Sequence, residues 1–424
     1  MQLRKQASGR FLPLLLVALA AAVFLPPGAL AQKFTVVHTG ASYTPKGKPY
    51  LIRATIQPRS NLSYATVFYR RAGNTSYASV FMADKGGDSF EVELPAEAIT
   101  KNGLEYYISA IDKSGNETLL FASPTEPHFV STKIVAVMLS RRGEKYEEVL
   151  TGLKTALKAR VDNYDMNDSE AQGKAILKQL RQSAEQPDLL VAVGKSAAIL
   201  SKSDVKEIPV VFTMVSNPYK EELKRENMTG VSLDVPVKVQ LLTFKSVVPG
   251  IKRLGVIYNP EKTGDLIGQA SFIAPSQGFQ LITAKIESPE EVTQKLSAFS
   301  EGIDAFWLVP DATVVTPLSV KAILEYTFTN KIPLFVFEKT FVDAGALVSI
   351  SPDLQDIGRI TAEMANKVLR GTDPATLTII NPDKLKVALN NETARSIGVG
   401  DTVAKQVILY AAEKGFPIET VGRR

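Results

Sequence analysis

The chain has 424 residues, of which 45% are hydrophobic and 22% charged, and its formal net charge is +5 at pH 7. This length exceeds what one core supports, so we expect two or three domains, and the composition excludes a disordered chain. The small net charge, with no Lys/Arg-rich run beyond the first ten residues, argues against nucleic-acid binding. The chain contains no cysteine, which excludes disulfides, thiolate metal sites and a lipid-attachment cysteine.

Residues 1–31 have the three regions of a secretory signal peptide. Three basic side chains come first: Arg4, Lys5 and Arg10. The apolar stretch Phe11–Leu25 follows, and Ala29-Leu30-Ala31 supplies a cleavage site, so cleavage before Gln32 is predicted. The alternative is a membrane anchor, but the apolar run has only about 15 residues, whereas about 20 are needed to span a bilayer. We therefore expect a protein that is exported to the periplasm and only peripheral to the membrane.

Residues 32–131 alternate apolar and polar side chains in seven short segments separated by turn residues. The segments are FTVVH, YLIRATI, YATVFYR, ASVFM, SFEVEL, LEYYISAID and TLLFA. Short strands at such regular spacing predict a β-sandwich. The piece EYYISAIDKSGN resembles the last hairpin of bacterial immunoglobulin-like or fibronectin-type domains. We therefore expect an immunoglobulin-like domain here, which would act as a spacer or as a docking module.

The linker SPTEPHFVST follows, and from residue 132 onwards strand-like and helix-like segments alternate. Two segments show apolar residues at helical spacing. The residues are Tyr146, Val149, Leu150, Leu153 and Leu157 in the first, and Ile357, Ile360, Met364 and Val368 in the second. Repeated strand–helix units predict parallel sheets joined by right-handed crossovers. The tail after Gly400 is predicted to be helical over residues 402–414.

The stretch from Ile208 to Pro260 contains two buried strands whose carboxyl ends both run into Asn-Pro turns. The first strand ends at Ser216-Asn217-Pro218, where the proline disfavours a helical conformation of the preceding asparagine. The second, Leu254–Tyr258, ends at Asn259-Pro260. Ligands of open α/β sheets bind beyond the carboxyl ends of the strands, so these turns are predicted to form two walls of one cleft.

Seven motifs occur in a fixed order between residues 132 and 400. They are VFTMVSNPY, NMTGVSL, PGIKRLGVIYNPE, AFWLVPDATVV, IPLFVFEKTFVDAGALVSI, IGRITAEMANKVLRGTDPA and LKVALNNETARSIGV. Together they resemble the substrate-binding proteins of one family of ABC importers, whose best-known members bind tryptophan and other aromatic amino acids. The resemblance implies an α/β, two-lobed periplasmic-binding-protein fold that closes on a small ligand. We expect one lobe at about 132–235 with 351–371, and the other at about 236–350 with 372–400.

The chain departs from the family pattern at three places. Lys262-Thr263-Gly264 stands near a position where the family often has an Asn-Ser pair, and Leu354 and Gln355 stand where aromatic residues are frequent. The tail after Gly400 also departs from the pattern. The first two departures fall at the cleft or its hinge, so an aromatic amino acid is only one candidate ligand.

Gly194-Lys195-Ser196, at the end of a predicted strand, matches neither a phosphate-binding loop nor a nucleophile elbow. Leu189 stands where the first motif needs a glycine, and Ala198 stands where the second needs one. The turn leads into a helix, so the backbone N–H groups of Ser196 and Ala197 are predicted to hold an anionic ligand group. The alternative is a plain strand-to-helix turn.

Catalytic and metal-binding histidines are excluded from the α/β part by position. The two histidines, His38 and His128, lie in the sandwich and the linker. A Ser-His-Asp set, a Cys-His set and a histidine-bound metal are therefore ruled out in the α/β part. We expect no cofactor, no metal and no enzyme activity.

Charged residues follow three other strands. Asp311 follows AFWLVP and would pair with a ligand amine, although an aspartate that caps a turn fits the pattern equally well. Glu338 follows PLFVF and has the same two interpretations. Arg141 and Arg142 follow the first strand, where a guanidinium would bind a carboxylate, and solvated loop arginines are the alternative.

The predicted contact residues all lie at or just beyond the carboxyl ends of strands. They are Ser140, Arg141, Gly194, Lys195, Ser196, Ala197, Val215, Ser216, Asn217, Pro218, Asn259, Asp311, Thr313 and Glu338. Two functions fit this pattern. The first is a monomeric solute-binding protein that delivers a small molecule to an ABC permease. The second is a ligand sensor whose sandwich docks onto a membrane receptor or sensor kinase.

Overall fold

The computed structural model describes residues 34–299 and 302–422, so the predicted signal peptide and its cleavage site lie outside the described residues. Antiparallel sheets form the amino-terminal part, and two largely parallel sheets flanked by helices form the rest. This arrangement confirms the predicted fold class. None of the helices in the described ranges combines the length and the apolar character needed to cross a bilayer.

The amino-terminal part consists of two antiparallel sheets with the strand orders β1-β2-β6-β5 and β4-β3-β7-β8, and β9 pairs with β7. The strands are β1 (Thr35–Val37), β2 (Tyr50–Gln57), β3 (Leu62–Arg71), β4 (Ala78–Phe81), β5 (Ala83–Asp84), β6 (Ser89–Leu94), β7 (Leu104–Asp112), β8 (Glu117–Phe121) and β9 (His128–Val130). Alternate residues of each sheet point into one shared core, as Ile52, Ala54 and Ile56 do in β2. Strands β5 and β9 were not predicted. Strand β9 lies in the predicted linker, which therefore belongs in part to the sandwich.

The first lobe of the α/β part has a parallel sheet with the strand order β11-β10-β12-β13-β14. Its elements are β10 (Ile134–Leu139), α1 (Glu144–Ala156), β11 (Arg160–Asp165), α2 (Glu170–Gln182), β12 (Leu189–Val193), α3 (Lys195–Asp204), β13 (Val210–Val215) and β14 (Met228–Ser232). Strands β10 and β12 are buried along their whole length, and separate apolar clusters lie on the two faces of the sheet. This burial explains why their sequences read as continuous apolar runs.

The second lobe has a sheet with the strand order β16-β15-β17-β18-β19-β20-β21. The remaining elements of the chain are α4 (Val237–Val247), β15 (Arg253–Tyr258), α5 (Pro260–Ile273), β16 (Gln280–Lys285), α6 (Glu291–Leu296), β17 (Ala305–Trp307), α7 (Pro317–Thr329), β18 (Leu334–Val336), α8 (Lys339–Asp343), β19 (Val348–Pro352), α9 (Leu354–Leu369), β20 (Leu385–Asn390), α10 (Asn391–Ser396), α11 (Gly400–Lys414) and β21 (Ile418–Val421). The helix predicted in the tail is α11, and it packs on α4, where the Tyr410 hydroxyl lies 2.8 Å from Thr243 Oγ1. Strand β21 was not predicted.

Strand β20 is antiparallel to β19, which corrects the expectation of purely parallel sheets. The reason is the path of the chain. Strand β20 is reached from α9, which packs against α1 and the first parallel sheet, and not through a crossover helix on its own sheet.

Helix α9 follows β19 in sequence but packs against α1 of the first lobe. A Cβ atom on Gly152 would lie 1.9 Å from the Gln355 carbonyl oxygen, and one on Gly358 would lie 2.1 Å from that of Val149. Only glycine permits this approach, because any side chain at either position would overlap the backbone of the facing helix. The two helices therefore form one closely packed layer beside the first parallel sheet.

Residues 374–380 run along the edge of the first lobe before the chain returns to the second. The Ile380 N–H donates to the Gly230 carbonyl oxygen at 3.1 Å, and the Ile380 carbonyl accepts from the Ser232 N–H at 2.8 Å. We therefore propose that residues 353–380 belong to lobe 1, so that the return to lobe 2 comes later than the predicted residue 372. The chain then crosses between the lobes after β14, after β19 and before β20.

The sandwich is attached to lobe 1 at the amino ends of β10 and β11. The Arg160 guanidinium lies 5.1 Å from the centre of the Tyr43 ring, and Lys158 Nζ lies 5.9 Å from that of Phe129. The Thr132 hydroxyl donates to the Thr100 carbonyl oxygen at 2.9 Å. These contacts are at the end of the sheet opposite to the carboxyl ends of the strands, where ligand contacts were predicted.

The two histidines of the chain meet inside the sandwich around Tyr106. His38 Nδ1 lies 2.6 Å from the Arg53 carbonyl oxygen, so Nδ1 donates, and Nε2 accepts from the Tyr106 hydroxyl at 2.7 Å. The His128 ring contacts the same Tyr106 ring edge-on at 5.2 Å. Burial lowers the pKa of His38 below its usual 6.5; the hydrogen bond to the carbonyl opposes this shift, and His128 adds to it.

We expect the sandwich to lose stability as the pH falls below 6.5. Because the folded-state pKa of His38 is lowered, the unfolded state binds the proton first. The contribution of His38 is therefore complete above 6.5 and is lost as the pH falls through its folded-state pKa. Urea unfolding between about pH 8 and pH 5 measures this loss.

His38→Gln should remove most of the pH dependence, whereas His128→Gln should remove only a smaller part of it. With two histidines in the chain, NMR titration of the ring signals assigns each pKa directly. A pH dependence that survives intact in His38→Gln would contradict this prediction.

Strand β13 contains a backbone irregularity close to its carboxyl end. Met214 has a φ of +56°, and the register with β14 shifts between Phe212 and Val215. The left-handed conformation costs a residue with a Cβ atom about 1–2 kcal/mol. Glycine avoids this cost, so the strain is tied to the side chain at this position.

We expect Met214→Gly to be more stable than Met214→Ala by about 1 kcal/mol, because only the alanine keeps the left-handed penalty. Chemical unfolding of the two variants measures the difference. Val211 in the same strand is the matched control, since its glycine variant should be the less stable of its pair. The same order at both positions would show that Met214 is not strained.

Candidate functional site

The carboxyl ends of the two parallel sheets face each other, and polar contacts join the lobes on both sides of the space between them. On one side Lys220 Nζ donates to the Glu261 carbonyl oxygen at 3.0 Å. On the other side Lys145 Nζ lies 2.7 Å from Glu338 Oε1. The turns that follow β10, β12, β13, β15 and β17 therefore line one cleft, as expected for a ligand site of this fold.

Three of the predicted residues of lobe 1 meet at the start of α3. Ser140 is 2% exposed, and its Oγ accepts from the Ala197 N–H at 2.9 Å. Gly194 has a φ of +93°, and a Cβ atom there would lie 2.6 Å from Ser140 Oγ and 2.7 Å from the Tyr146 hydroxyl. Glycine is thus required both for the backbone angle and for the space. The Ala197 N–H was predicted to hold an anionic ligand group. It donates instead to Ser140 Oγ within the protein.

Tyr146 was not predicted as a site residue, because its spacing placed it on the core face of α1. The structure brings its hydroxyl to the end of β12, beside Gly194. Its half-buried ring packs against the core of lobe 1. A tyrosine one turn into a helix that follows a strand end is the signal that would have found it.

The predicted residues Arg141, Lys195 and Ser196 lie on the exposed rim of the cleft. The Arg141 guanidinium lies 3.8 Å from the Asp168 carboxylate, and Lys195 Nζ lies 2.6 Å from that of Glu221. The side chain of Ser196 is exposed at the start of α3. These residues surround the entrance. Arg141 and Lys195 already have carboxylate partners, and Ser196 faces solvent.

The turn Val215–Pro218 closes β13, with Val215 and Pro218 buried and Ser216 exposed. Asn217 has a φ of +47°, and its N–H donates to Asp234 Oδ2 at 2.6 Å. Its side-chain amide lies 3.4 Å from Asp265 of lobe 2. Asp234 was not predicted, although it follows the extended piece NMTGVSL in the same way as Asp311 follows its strand.

In lobe 2 the predicted residues Asn259, Asp311 and Thr313 come together, but as a buried network. Asp311 is fully buried, and its Oδ2 accepts from the Asn259 N–H at 2.8 Å and from the Thr263 hydroxyl at 2.5 Å. Its Oδ1 accepts from the Thr313 N–H at 2.9 Å. These are the contacts of an aspartate that caps a turn, which is the alternative that the sequence left open.

Thr263 belongs to the segment that departs from the family pattern. Its φ and ψ of −122° and 16° interrupt α5, and its hydroxyl turns towards Asp311. At this departure the Thr263 hydroxyl joins the start of α5 to Asp311 beyond β17, and Thr263 itself is buried.

Glu338 is drawn towards lobe 1 and pairs with Lys145. Its other oxygen accepts from the Thr340 hydroxyl at 3.4 Å. In the described ranges no group of three or more histidine, aspartate or glutamate residues is arranged to hold a metal ion. What the cleft offers is short polar side chains, the Tyr146 hydroxyl and backbone groups at strand ends, which suit hydrogen bonding to a small polar solute.

Residues 134–414 match the family described as ABC transporter substrate binding protein. The match includes α11. The expectation that the tail after Gly400 departs from the family is therefore wrong. A tyrosine-binding protein of Clostridioides difficile (strain R20291) is 24% identical over 222 residues, which are 50% of this chain and 64% of that protein. An uncharacterized protein of Rickettsia prowazekii (strain Madrid E) is 21% identical over 245 residues, 57% of this chain and 78% of that protein.

The ligand-free, open structure of a substrate-binding protein with adhesive properties from Clostridium difficile has the same fold. Its TM-score is 0.58 at 22% sequence identity, and the match covers 69% of this chain and 100% of that one. Since the family match spans more than half of the sequence, the protein belongs to the family of ABC transporter substrate-binding proteins.

Proposed function

We propose that this protein is exported, captures a small polar solute between its two lobes and delivers it to an ABC permease. The observation that carries the proposal is that the carboxyl ends of two parallel sheets face each other across a cleft that polar contacts close on both sides. Families of this kind bind solutes without converting them, so no turnover and no cofactor are part of the proposal.

An amino acid is the solute class that we propose first. The name of the Clostridioides difficile relative states that it binds tyrosine, and that relative shares the α/β part. The Tyr146 hydroxyl beside the end of β12 and the Asp234 carboxylate after β14 offer polar groups at the same edge of the lobe 1 sheet. The family's aromatic positions are Leu354 and Gln355 here, which favours a smaller or more polar side chain than that of tryptophan.

A ligand sensor is the second candidate, and the sandwich supports it. On the outer face of β3 and β4, Tyr64 and Phe81 are exposed and contact each other edge-on at 5.1 Å. Adjacent exposed aromatic side chains on one sheet face suit a docking surface. Genes for a permease and an ATPase beside this one would favour import, whereas a sensor kinase gene would favour signalling.

The first test is a solute screen by thermal shift and calorimetry on residues 32–424. Trp307 is buried within lobe 2, so tryptophan fluorescence would report poorly on the cleft. A solute present at about 100 times its Kd should stabilise the protein by about 2.7 kcal/mol, and the Tm should rise by roughly 5–10 °C. The screen includes amino acids, purines and small sugars.

Ser216→Trp places a large ring at the exposed end of β13 and should abolish the shift that the best solute produces. Ser63→Trp, at an exposed position of the sandwich, is the matched control and should retain the shift. The absence of stabilisation by every solute in the wild-type protein would count against the proposed function.

A further prediction concerns Asp311, which we expect to hold the turn together and not to contact the ligand. Asp311→Ala leaves the donors of Asn259, Thr263 and Thr313 without their acceptor, at a cost of about 1–3 kcal/mol for each buried group. The free energy of unfolding should therefore fall by about 3 kcal/mol or more. Urea unfolding measures this loss, and Asp311→Asn should recover part of it.

The alternative role predicts a different pair of results. If Asp311 pairs with a ligand amine, Asp311→Ala should weaken an amine-bearing ligand about tenfold or more and leave the stability nearly unchanged. Calorimetric titration of each variant at a temperature where it is folded separates the two roles.

A further inference from the structure

Helix α1 presents two oppositely charged side chains to lobe 2, one turn apart on the same helix face. Lys145 Nζ lies 2.7 Å from Glu338 Oε1, and Glu148 Oε2 lies 2.7 Å from Lys386 Nζ. Residues three apart on a helix are neighbours, so α1 offers a positive and a negative group side by side. Lobe 2 presents the complementary charges: Glu338 after β18 and Lys386 at the start of β20.

The two pairs lie at different distances from the hinge. Lys386 is the second residue of β20 and pairs with Ser351 at the end of β19, next to the crossing that leads to α9. Lys384, just before β20, also lies 3.2 Å from Asp356 in α9. The Glu148–Lys386 pair therefore sits on the crossings themselves, and its distance changes little when the lobes rotate.

The Lys145–Glu338 pair lies farther out. Glu338 follows β18, which is separated from β20 by β19. A rotation about the crossings moves this point by a larger distance, so this pair separates when the cleft opens. Its side chains are 57% and 35% exposed, so water reaches them quickly once they part.

We propose that Lys145 and Glu338 are positioning residues that act as a clasp, which forms when the lobes close and strengthens solute binding without touching the solute. This proposal rests on the proposed function of solute capture. Whatever stabilises the closed state raises the apparent affinity of a ligand that binds that state by the same factor. For a partly exposed ion pair this factor is up to about fivefold.

The test uses Lys145→Glu, Glu338→Lys and the double variant that exchanges the two charges. Each single variant places like charges at the clasp and should weaken binding of L-tyrosine, the probe, by about three- to tenfold. The exchanged pair should restore the affinity to within about twofold of wild type. Lys339→Glu is the matched control, because the Lys339–Asp343 pair is equally exposed but lies within lobe 2.

A second measurement follows the lobes without any solute. Because the chain has no cysteine, Ser203→Cys and Thr329→Cys give one exposed label site on each lobe for pulsed electron paramagnetic resonance. Each charge reversal should lengthen the distance distribution, the exchanged pair should restore it, and Lys339→Glu should leave it unchanged. Salt of about 0.5 M should reduce the differences.

The two measurements separate the clasp from the proposed function. Distances that do not respond to either reversal would overturn the clasp, even if L-tyrosine binds normally. The distances could instead respond as expected while neither L-tyrosine nor any other solute in the screen binds. This result would support the clasp and contradict the proposed function. Single variants that weaken binding without rescue by the exchanged pair would also overturn the clasp.

Discussion

The close packing of α1 on α9 is the contact on which the two-lobed arrangement depends. At Gly152 and Gly358 each helix touches the backbone of the other. Because α9 continues directly from a strand of lobe 2, this contact anchors that end of the chain in lobe 1. It thereby creates the second and third crossings. Without it the two sheets would be connected only by the segment after β14. The carboxyl ends of their strands would then not be held in a defined relative position.

The same contact explains the charge pattern around the hinge. Once α9 is held against α1, the segment before β20 must pass close to both helices. Lys384 then reaches Asp356, and Lys386 reaches Glu148. Ion pairs of this kind add little to stability. Their consequence is geometric, since they join the segment at the start of β20 to both α9 and α1.

The sequence was sufficient for most of the elements and for the edge of each sheet where the candidate site lies. Buried parallel strands were recognisable as continuous apolar runs. The turn residues that follow these strands predicted where the cleft lies. What it did not give depends on contacts between distant residues. The pairing of β9 with β7 is one example. The antiparallel direction of β20 is another, because it follows from the docking of α9, and nothing local to either glycine shows which helix will face it.

Several of the predicted site residues lie together at strand ends, but the sequence did not show which of them are already hydrogen-bonded within the protein. Asn259, Asp311 and Thr313 do lie together, yet the Asp311 carboxylate accepts four hydrogen bonds from its own lobe. Its role depends on Thr263, whose helix interruption cannot be read from residue type. Glu338 likewise follows a strand, as a ligand-binding acid would. Its partner is a lysine 193 positions away in the other lobe.

The way the sandwich is attached limits what a partner of this protein can sense. Tyr43 and Phe129 contact Arg160 and Lys158 at the amino ends of the lobe 1 strands, so the sandwich is attached on the lobe 1 side of the α/β part. If the cleft closes as proposed, lobe 2 moves relative to lobe 1 and the attached sandwich keeps its contacts with lobe 1. A receptor that contacts the sandwich alone has equal affinity for the open and closed states and cannot respond to the solute. If the protein is a sensor that docks through its sandwich, its partner would therefore also have to contact lobe 2.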